Sequence, residues 1–406
     1  MDSERTREKK KIVFVREDPI KLESYKRPYK HSHLDPDNTG RVIFLPDYFA
    51  PLDEVYADNG YTVEYKTIER AWEEGDTEPF IFLISPQPNL FKLYNEERKQ
   101  IQSYFNSLSP LLINAVNDGN CALVIHNCKE EYSGTQQTEA QMIELLSSVG
   151  IHAHSNVLFL ENSPGVTYSN TLNTVQWNFF ETAMRLQDFD VPRETLFTSS
   201  DAKKFLCLNF TPRPHRQQFM YAMQEANLLH EFNASHIDEK LPLVYDTTDH
   251  VATDSLKPAS GHLPYRVKDV DHWNTLSPRF VTENLLFIVT ETAFTDENLL
   301  FLTEKTFKPF LLRMPFILIA QRGTLAYLRS IGYRTFSDFW DEDYDTIEDP
   351  GKRLQTIIKL TKTLATQDLS SLVSSMTHIL EHNYHHLKTR RPETAVFSAI
   401  NKIWKR

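Results

Sequence analysis

Residues with the chemistry to bind both an anion and hydroxyl groups lie close together in the second half of the chain. Glu291 follows an apolar run at residues 285–289, and a further acid and two lysines come after it at Glu304, Lys305 and Lys308. Carboxylates accept hydrogen bonds from hydroxyls, and ammonium groups bind phosphates. The four side chains therefore suit a ligand that carries both groups, such as a nucleotide sugar.

The elements that would position these side chains form a strand, loop, helix and strand unit. The apolar runs 285–289 and 315–320 predict buried strands, and residues from Leu302 onward predict a helix between them. Parallel α/β sheets gather polar loop residues at the carboxyl ends of their strands, where such sheets bind ligands. An ordinary helix cap at Thr303 and Glu304 with solvated lysines explains the same residues equally well.

A second group of cations lies between a predicted strand at residues 204–208 and a predicted helix at residues 217–229. Arg213, His215 and Arg216 occupy this turn, beside the amino terminus of the helix. Free backbone N–H groups and the helix dipole attract anions at such a position. The turn is therefore a candidate diphosphate clamp, and the alternative is a surface turn stiffened by proline.

The carboxyl-terminal half of the chain resembles the donor-binding region of α-1,3-fucosyltransferases and, more closely, of fucosyltransferase-like proteins of tailed phages and large viruses. The similarity is carried by the strand that ends at Glu291, by the Thr-Glu-Lys helix start at residues 303–305 and by the strand that follows. Segments 323–328, 332–336 and 341–345 also look like the phage and viral members.

The resemblance implies a two-domain GT-B fold that binds a nucleoside-diphosphate sugar, either UDP- or GDP-linked, as donor substrate. It implies that Glu291, Glu304 and Lys305 bind this donor together with an upstream basic residue. Arg216 matches that residue more closely than Arg213, because a Thr-Pro pair replaces part of the related pattern. It further implies transfer with inversion of the anomeric configuration, without a metal ion or another cofactor.

These residues divide into roles if a glycosyl group is transferred. Fixed cations stabilise a diphosphate leaving group by preorganised electrostatics, which we expect of Arg216 and Lys305, with Arg213 as a further candidate. Glu304 would orient Lys305 or hold ribose hydroxyls. Glu291 would bind hydroxyls of the sugar or of the ribose.

The first half of the chain predicts a doubly wound α/β domain. Short apolar runs with little alternation predict parallel strands buried on both faces, at residues 11–15, 41–45, 80–84, 122–125 and 157–160. Helical spacing is found at residues 96–108, 137–149 and 172–186. With the second half, the predicted fold class is α/β and GT-B-like, with two Rossmann-like domains facing a central cleft.

A general base for the acceptor hydroxyl is expected at the strand ends of this first domain. Glu161 follows the predicted strand 157–160, and its turn is distantly similar to the Glu-Ser-Pro turn that carries the base in fucosyltransferases. His126 and Asp47 follow other predicted strands and are alternatives. Each of the three could instead be a turn or capping residue.

No metal site is expected. Asp-x-Asp sequences that could hold a metal on a diphosphate begin at Asp188, Asp269 and Asp341, but a chain with 55 acidic residues contains such matches by chance. A group of histidines near the carboxyl terminus lacks the carboxylate base of zinc hydrolases, which favours packing or surface roles. These histidines are His378, His382, His385 and His386.

Length and charge limit the domain organisation and the classes of partner. A chain of 406 residues suits two domains, which we predict at 1–192 on the acceptor side and 202–385 on the donor side, with a final helix at 386–406 packed on the first. The formal net charge of -11 gives no support to duplex binding, which depends on phosphate neutralisation. Three cysteines without metal spacing favour the cytoplasm, and the lack of a long apolar run disfavours a membrane protein.

The features and the resemblance together predict a cytoplasmic glycosyltransferase, located in the host cytoplasm if the chain is viral or from a phage. The acceptor would be a glycan or, by the phage resemblance, a hydroxymethylated base of DNA that is exposed from the stack. The alternative is a nucleotide-sugar-binding interaction module without catalysis. Oligomeric state is not predicted.

Overall fold

A computed structural model describes the greater part of the chain. The described residues are 10–16, 54–67, 80–84, 108–127, 135–164, 172–187, 202–209, 213–234, 278–295 and 300–404, with single positions at 52, 70, 105, 106, 189 and 276. The predicted strand 41–45 and Asp47 lie outside them. The chain divides into two compact units, residues 1–182 with 391–406 and residues 183–390. The predicted domains at 1–192, 202–385 and 386–406, and a cleft between them, stay a prediction.

The first unit contains a parallel sheet with the strand order β2-β1-β3-β4-β5-β6. Its strands are β1 (Lys10–Arg16), β2 (Tyr61–Thr67), β3 (Phe80–Ile84), β4 (Cys121–Asn127), β5 (Val157–Glu161) and β6 (Asn173–Gln176). The predicted strands at 11–15, 80–84, 122–125 and 157–160 are confirmed. The order reverses between β1 and β3, as in doubly wound sheets.

β2 is a strand that the sequence analysis did not predict. Among the described strands it pairs with β1 and stands at the end of the strand order. Its Glu64 is partly exposed and forms an ion pair of 3.1 Å with Lys11 on β1, whereas Lys66 is 9% exposed and lies 3.3 Å from the same carboxylate oxygen. A search for continuous apolar runs therefore misses it.

The helix expected at residues 172–186 is wrong in its first part, where the chain forms β6 instead. Asn173 explains the strand, because its side-chain amide donates to the carbonyl of Ser155 and to that of Val157 at the start of β5. A helix begins only at Phe179, whose N–H donates to Oδ1 of Asn162 at 3.1 Å. Contacts between distant parts of the chain therefore overrule the local helical spacing.

The described helices are numbered in chain order. They are α1 (Pro110–Asn117), α2 (Thr135–Ser148), α3 (Phe179–Arg185), α4 (Pro214–Glu225), α5 (Pro278–Thr282), α6 (Glu304–Leu312), α7 (Thr324–Ser330), α8 (Pro350–Ala365), α9 (Leu369–Ser375), α10 (Thr377–Thr389) and α11 (Glu393–Trp404). In the first unit, Leu112 of α1 and Leu146 of α2 share a buried apolar cluster with Leu123 of β4. α11 packs on β4, β5 and β6. Crossing a bilayer requires a long apolar helix, and none of these helices meets that requirement.

The second unit contains a parallel sheet with the strand order β10-β9-β7-β8. Its strands are β7 (Lys203–Cys207), β8 (Phe232–Ala234), β9 (Asn284–Thr290) and β10 (Phe316–Ile319). Every residue of β9 is buried, as expected for an inner strand of a sheet covered on both faces. The chain runs from β7 to β8 on one side and then to β9 and β10 on the other. The switch point of this sheet therefore lies between β7 and β9.

The apolar spacing of residues 369–383 is typical of one helix, but the chain forms α9 and α10 with Met376 between them. Hydroxyl groups bind backbone carbonyls in the last turns before the break. Ser374 donates to the carbonyl of Ser370, and Ser375 donates to the carbonyl of Leu372. Such side chains offer the backbone carbonyls an alternative to regular helical bonding.

Replacing Gly332 with alanine is expected to destabilise the second unit. Gly332 has a φ of 100°, and an added Cβ would lie 2.6 Å from Cε1 of His386, whose ring is hydrogen-bonded to the carbonyl of Ile331. We expect the free energy of unfolding in urea to fall by about 2–3 kcal/mol, because backbone strain adds to displacement of the ring. Gly323→Ala is the matched control: its φ is 80°, no described atom lies within 4 Å, and a loss of about 1 kcal/mol is expected from strain alone. Equal losses in the two variants would contradict this explanation.

Candidate functional site

The candidate site lies at the carboxyl ends of β7 and β9, next to the switch point of the second sheet. α4 follows β7, and α6 follows β9, so the amino termini of both helices lie at this edge. Arg213 is the N-cap residue of α4, and Pro214 occupies the first helical position, for which its fixed φ is suited. Two cation-bearing segments that are distant in sequence therefore start at the same sheet edge.

Arg216 is buried and connects α4 to the end of β9. Its Nη2 donates to the carbonyls of Thr290 and Glu291, each at 3.1 Å, and 2% of the residue is exposed. Burial and the neighbouring Arg213 lower the pKa of Arg216 to about 10, so the guanidinium stays charged at neutral pH. Arg213 is more exposed than Arg216. The sequence pattern had favoured Arg216 over Arg213 for donor binding, whereas Arg213 is the less buried residue of the two.

His215 contributes a neutral ring rather than a cation. Burial, followed by the nearby charge of Arg216, lowers the pKa of His215 to about 3. Its Nε2 lies 2.9 Å from the carbonyl oxygen of Glu291, to which the neutral ring donates, and the ring stacks on Phe294 at 5.0 Å. The histidine therefore fixes the turn after β9, and at neutral pH it adds no positive charge to the site.

Glu291 anchors the start of α6. One carboxylate oxygen accepts hydrogen bonds from the backbone N–H groups of Thr303 and Thr306 and from the hydroxyl of Thr306. The other accepts from the N–H of Thr292 and from the hydroxyl of Thr303, which makes five hydrogen bonds in all. The residue is fully buried. Its described partners are thus groups of the protein, and binding of sugar or ribose hydroxyls by Glu291 stays a prediction.

This anchor matters because α6 carries a proline inside its short length. Pro309 lacks the N–H that would bond to the carbonyl of Lys305, which weakens the helix. Thr303 caps the helix by accepting from the N–H of Lys305, and Glu291 accepts from the N–H of Thr306. The first turn is therefore held from outside the helix as well as from within. The sequence analysis named Thr303 as a possible helix cap, but it missed the role of Thr306 and the bonds of both threonines to Glu291.

Glu304 and Lys305 form a close ion pair at the start of α6. Nζ of Lys305 lies 2.7 Å from Oε1 of Glu304, and it also donates to the hydroxyls of Thr303 and Thr292. Burial would raise the pKa of Glu304, but Lys305 and Lys308 outweigh it, so this pKa lies below its usual range. The side chain of Lys305 is 26% exposed, so a ligand can reach its ammonium group.

Lys308 is the more buried of the two lysines. It interacts electrostatically with Glu304 and with Lys305, and burial, which Glu304 only partly opposes, lowers its pKa to about 8. Arg216 interacts in turn with Arg213, Glu291 and Glu304. Electrostatic interactions therefore link six side chains from the two segments, which we call the charged cluster. Its members are Arg213, Arg216, Glu291, Glu304, Lys305 and Lys308.

Arg353, in α8, supports this site. Its Nη2 donates to the carbonyl of Phe294 at 2.6 Å, and its Nη1 donates to the carbonyl of Ile347. Its guanidinium carbon also lies 4.9 Å from the centre of the Phe294 ring, on which His215 stacks. Arg353 therefore positions the loop after β9. No local sequence signal separates it from a surface arginine of α8.

The candidate bases of the first unit lie at one edge of its sheet. Glu161 ends β5 opposite Asn127 of β4, and His126 precedes that residue. Glu161 is buried, and its Oε1 accepts from the N–H of Ser163 at 3.3 Å. His126 packs against Trp177 at 5.1 Å, and burial lowers its pKa to about 3. Both side chains are thus at the expected strand ends but are enclosed by protein.

The acidic run at residues 341–345 supports the fold. Asp345 accepts hydrogen bonds from the N–H groups of Leu325 and Ala326 in α7, and Glu342 accepts from the N–H of Phe336. Across the described residues, no group of three or more His, Cys, Asp or Glu side chains could hold a metal ion. The other Asp-x-Asp matches lie outside the described residues.

The histidines of α10 bind backbone carbonyls at the end of α7. Nε2 of His382 lies 2.9 Å from the carbonyl oxygen of Gly332, and Nε2 of His386 lies 2.8 Å from that of Ile331. His386 also packs on the ring of Tyr333 at 4.7 Å. These two side chains therefore satisfy carbonyl groups that α7 leaves open.

Comparison with known proteins gives little. No family model matches the chain, and no curated protein matches it. A solved structure described as spinosyn rhamnosyltransferase SpnG complexed with thymidine diphosphate is similar over 96% of this chain and 99% of that chain, with 13% sequence identity and a TM-score of 0.34. A likeness at this level carries no conclusion about the ligands or the reaction of this chain.

The substitution Glu291→Gln is expected to destabilise the protein strongly. An amide keeps one acceptor oxygen but places an NH2 group against backbone N–H donors, which leaves buried donors unsatisfied. We expect the free energy of unfolding in urea to fall by about 3 kcal/mol. Glu348→Gln is the control, because that side chain is 84% exposed in its ion pair with Arg322 and should change nothing measurable. Unchanged stability of Glu291→Gln with loss of ligand binding alone would refute the anchoring role.

Proposed function

We propose that this chain is a glycosyltransferase that moves a sugar from a nucleoside-diphosphate sugar to an acceptor hydroxyl. The observation that supports this most is the charged cluster at the carboxyl ends of β7 and β9. Ligands of parallel sheets bind at such switch points. A diphosphate needs cations and a ribose needs carboxylate acceptors, and the charged cluster offers both. The resemblance to fucosyltransferases supports the same class of enzyme, with a GT-B fold, inversion and no metal ion.

The members of the charged cluster take different roles in this proposal. Arg213 and Lys305, which are the more exposed cations, bind the diphosphate of the donor. Glu304 orients Lys305 and accepts from ribose hydroxyls. Arg216 and Glu291 hold α4 and α6 in place through their bonds to backbone groups. This assignment moves Glu291 from a donor-binding role to a positioning role.

The proposed chemistry needs no metal, because fixed cations can stabilise the leaving group. The acceptor oxygen attacks the anomeric carbon while its proton passes to a base. The bond from the anomeric carbon to the diphosphate oxygen breaks, and its electron pair stays on the diphosphate. Arg213 and Lys305 stabilise the negative charge that develops on the diphosphate, because both are preorganised before the reaction.

For the base we propose Glu161, with His126 and Asp47 as alternatives. A carboxylate at a strand end can accept the proton of an acceptor hydroxyl. Glu161 accepts a hydrogen bond from the N–H of Ser163, which fixes the direction of its carboxylate. The acceptor in this proposal is a glycan or a hydroxymethylated base in DNA. The net charge of -11 favours the glycan.

A second candidate function is that of a nucleotide-sugar-binding module without catalysis. One observation favours it: Glu161 and His126 are both buried, with exposures of 1% and 0%. A base that is enclosed in this way cannot meet an acceptor unless the surrounding chain moves. The module would bind a nucleoside diphosphate but transfer no sugar.

A panel of radiolabelled UDP- and GDP-sugars tests the two functions together. Glycans and DNA with hydroxymethylpyrimidines serve as acceptors, and transferred label is counted. Transfer to either acceptor supports the enzyme. Nucleotide binding without transfer to any acceptor supports the module, and the absence of both overturns the two proposals.

Arg213→Met is expected to weaken binding of UDP or GDP about 10- to 100-fold, because a charge-assisted hydrogen bond to phosphate is lost. Titration calorimetry on the folded variant measures the affinity. Arg322→Met is the matched control, since this arginine pairs with an exposed glutamate on the same unit. Equal affinities of the two variants would remove Arg213 from the donor site.

Glu161→Gln is expected to lower the rate of sugar transfer about 100-fold or more while leaving nucleotide affinity unchanged, because a glutamine cannot accept the proton. Initial rates with the active donor and acceptor, set beside calorimetric affinities, measure the two effects. His126→Asn, made in parallel, tests the alternative base. If Glu161→Gln keeps full activity, the role of general base passes to another residue.

A further inference from the structure

Lys308 differs from Lys305 in the surroundings of its ammonium group. It lies one helical turn after Glu304, so these two side chains share a face of α6 and lean toward the start of the helix. Only 6% of Lys308 is exposed, and within the described part of the chain no hydrogen bond or ion pair reaches its Nζ. Lys305 has three such partners. Lys308 is therefore a largely buried lysine whose ammonium group has no hydrogen-bond partner in the described protein.

A buried ammonium group without hydrogen-bond partners is unfavourable, and the usual response is loss of its proton. Burial lowers the pKa of Lys308 to about 8, with Glu304 opposing the change and Lys305 adding to it. The ligand-free protein therefore holds a mixture of charged and neutral Lys308 at mildly alkaline pH. An anion placed at this site would favour the charged form.

Other titratable groups around α6 already have partners. From the end of β9, Glu291 has its five hydrogen bonds, and from α4, Arg216 donates to backbone carbonyls. From α10, which packs on α6, Glu381 pairs with Arg313 at 3.3 Å, and His385 lies 3.8 Å from Glu381. His382 and His386 bond to carbonyls after α7, and Lys388 donates to the carbonyls of Arg185 and Gln187. Unlike these described groups, Lys308 has no hydrogen-bond or ion-pair partner of its own to lose when a ligand binds.

We propose that Lys308 takes up a proton when the diphosphate of a nucleotide binds beside Lys305 and Glu304. The proton moves from solvent to the lone pair of Nζ, and the ammonium group then neutralises a phosphate oxygen. The inference rests on the proposed function and adds to it a coupling between donor binding and protonation.

The coupling discriminates between the substrate and the product of the proposed reaction. In a nucleotide sugar both phosphates are esterified, whereas the product nucleoside diphosphate has a terminal phosphate that carries about one further negative charge at neutral pH. The stronger anion favours the protonated form of Lys308 more strongly. Product is therefore held more tightly than substrate, and its release is favoured by alkaline pH.

Isothermal titration calorimetry with UDP and GDP measures the coupling directly. The whole chain is titrated between pH 7 and pH 9 in pairs of buffers that differ in ionisation enthalpy, so that the observed heat reports protons taken up. The expected result is uptake of about half a proton at pH 8 and an affinity about 10-fold weaker at pH 9 than at pH 7. Any contribution from ionisation of the nucleotide base is the same in the wild-type chain and in the variants, so comparing them removes it.

Lys308→Met removes the amine and keeps the length of the side chain, so proton uptake and the pH dependence that it causes should both disappear. The matched control is Lys359→Met, an exposed lysine of α8 in the same unit, which should behave like the wild-type chain. The methionine variant should be at least as stable as the wild type at pH 7, because the charged form of a group with a lowered pKa opposes folding below that pKa.

The outcomes separate the inference from the proposed function. Nucleotide binding that shows the same proton uptake in Lys308→Met overturns the inference and leaves the proposed function standing. A marked loss of stability in Lys308→Met at pH 7 also overturns it, because Lys308 would then be a structural cation. Failure of the wild-type chain to bind either nucleotide overturns both.

Discussion

The geometry of the site depends on a buried carboxylate that receives five hydrogen bonds, four of them from the start of a single helix. Glu291 lies at the end of β9, and its oxygens accept from the backbone and hydroxyl groups of Thr303 and Thr306. These bonds connect a sheet strand to the first turn of α6. Because Pro309 weakens that helix internally, its direction depends on this outside anchor. Glu304, Lys305 and Lys308 would otherwise have no fixed position.

The same edge of the sheet also concentrates positive charge. The charge of Arg213 lowers the pKa of Arg216, and the charge of Lys305 lowers the pKa of Lys308. The charged cluster contains four cations and two carboxylates. One of these carboxylates, Glu291, is already hydrogen-bonded to the start of α6. An unliganded site with such an excess of like charge is less stable than a neutral one would be. Local sequence choices that oppose stability are typical of sites selected for binding.

Part of this arrangement could be predicted from the sequence. The run at residues 285–289 is apolar and bounded by polar residues, so β9 was predicted, and Thr303 gave the start of α6. The burial of Arg216 also had a signal, because Arg216, Phe219, Met220 and Met223 are spaced as one helical face and all four are buried. That spacing indicates a core-facing arginine, whereas the motif alone led to a ligand-binding one.

Other features could not be predicted because they depend on contacts between distant residues. The strand β6 exists where Asn173 reaches carbonyls near β5, and no local pattern records that distance. Arg353 holds Phe294 from a helix that begins 56 residues later in the chain than that phenylalanine. The hydrogen bonds of Glu291 to Thr303 and Thr306 also join residues that are separated in the sequence. A carboxylate at a strand end can face either a ligand or a neighbouring helix, and only the three-dimensional structure decides between them.

The backbone N–H groups at the start of α6 are already occupied by Glu291 and Thr303. The framework of this unit therefore satisfies its own helix dipole and does not need a ligand to complete it. A ligand would therefore be contacted by long side chains that project from helices whose backbone groups are already hydrogen-bonded. Such side chains can be exchanged during evolution while folding is preserved, so that descendants of one framework can come to recognise different small molecules.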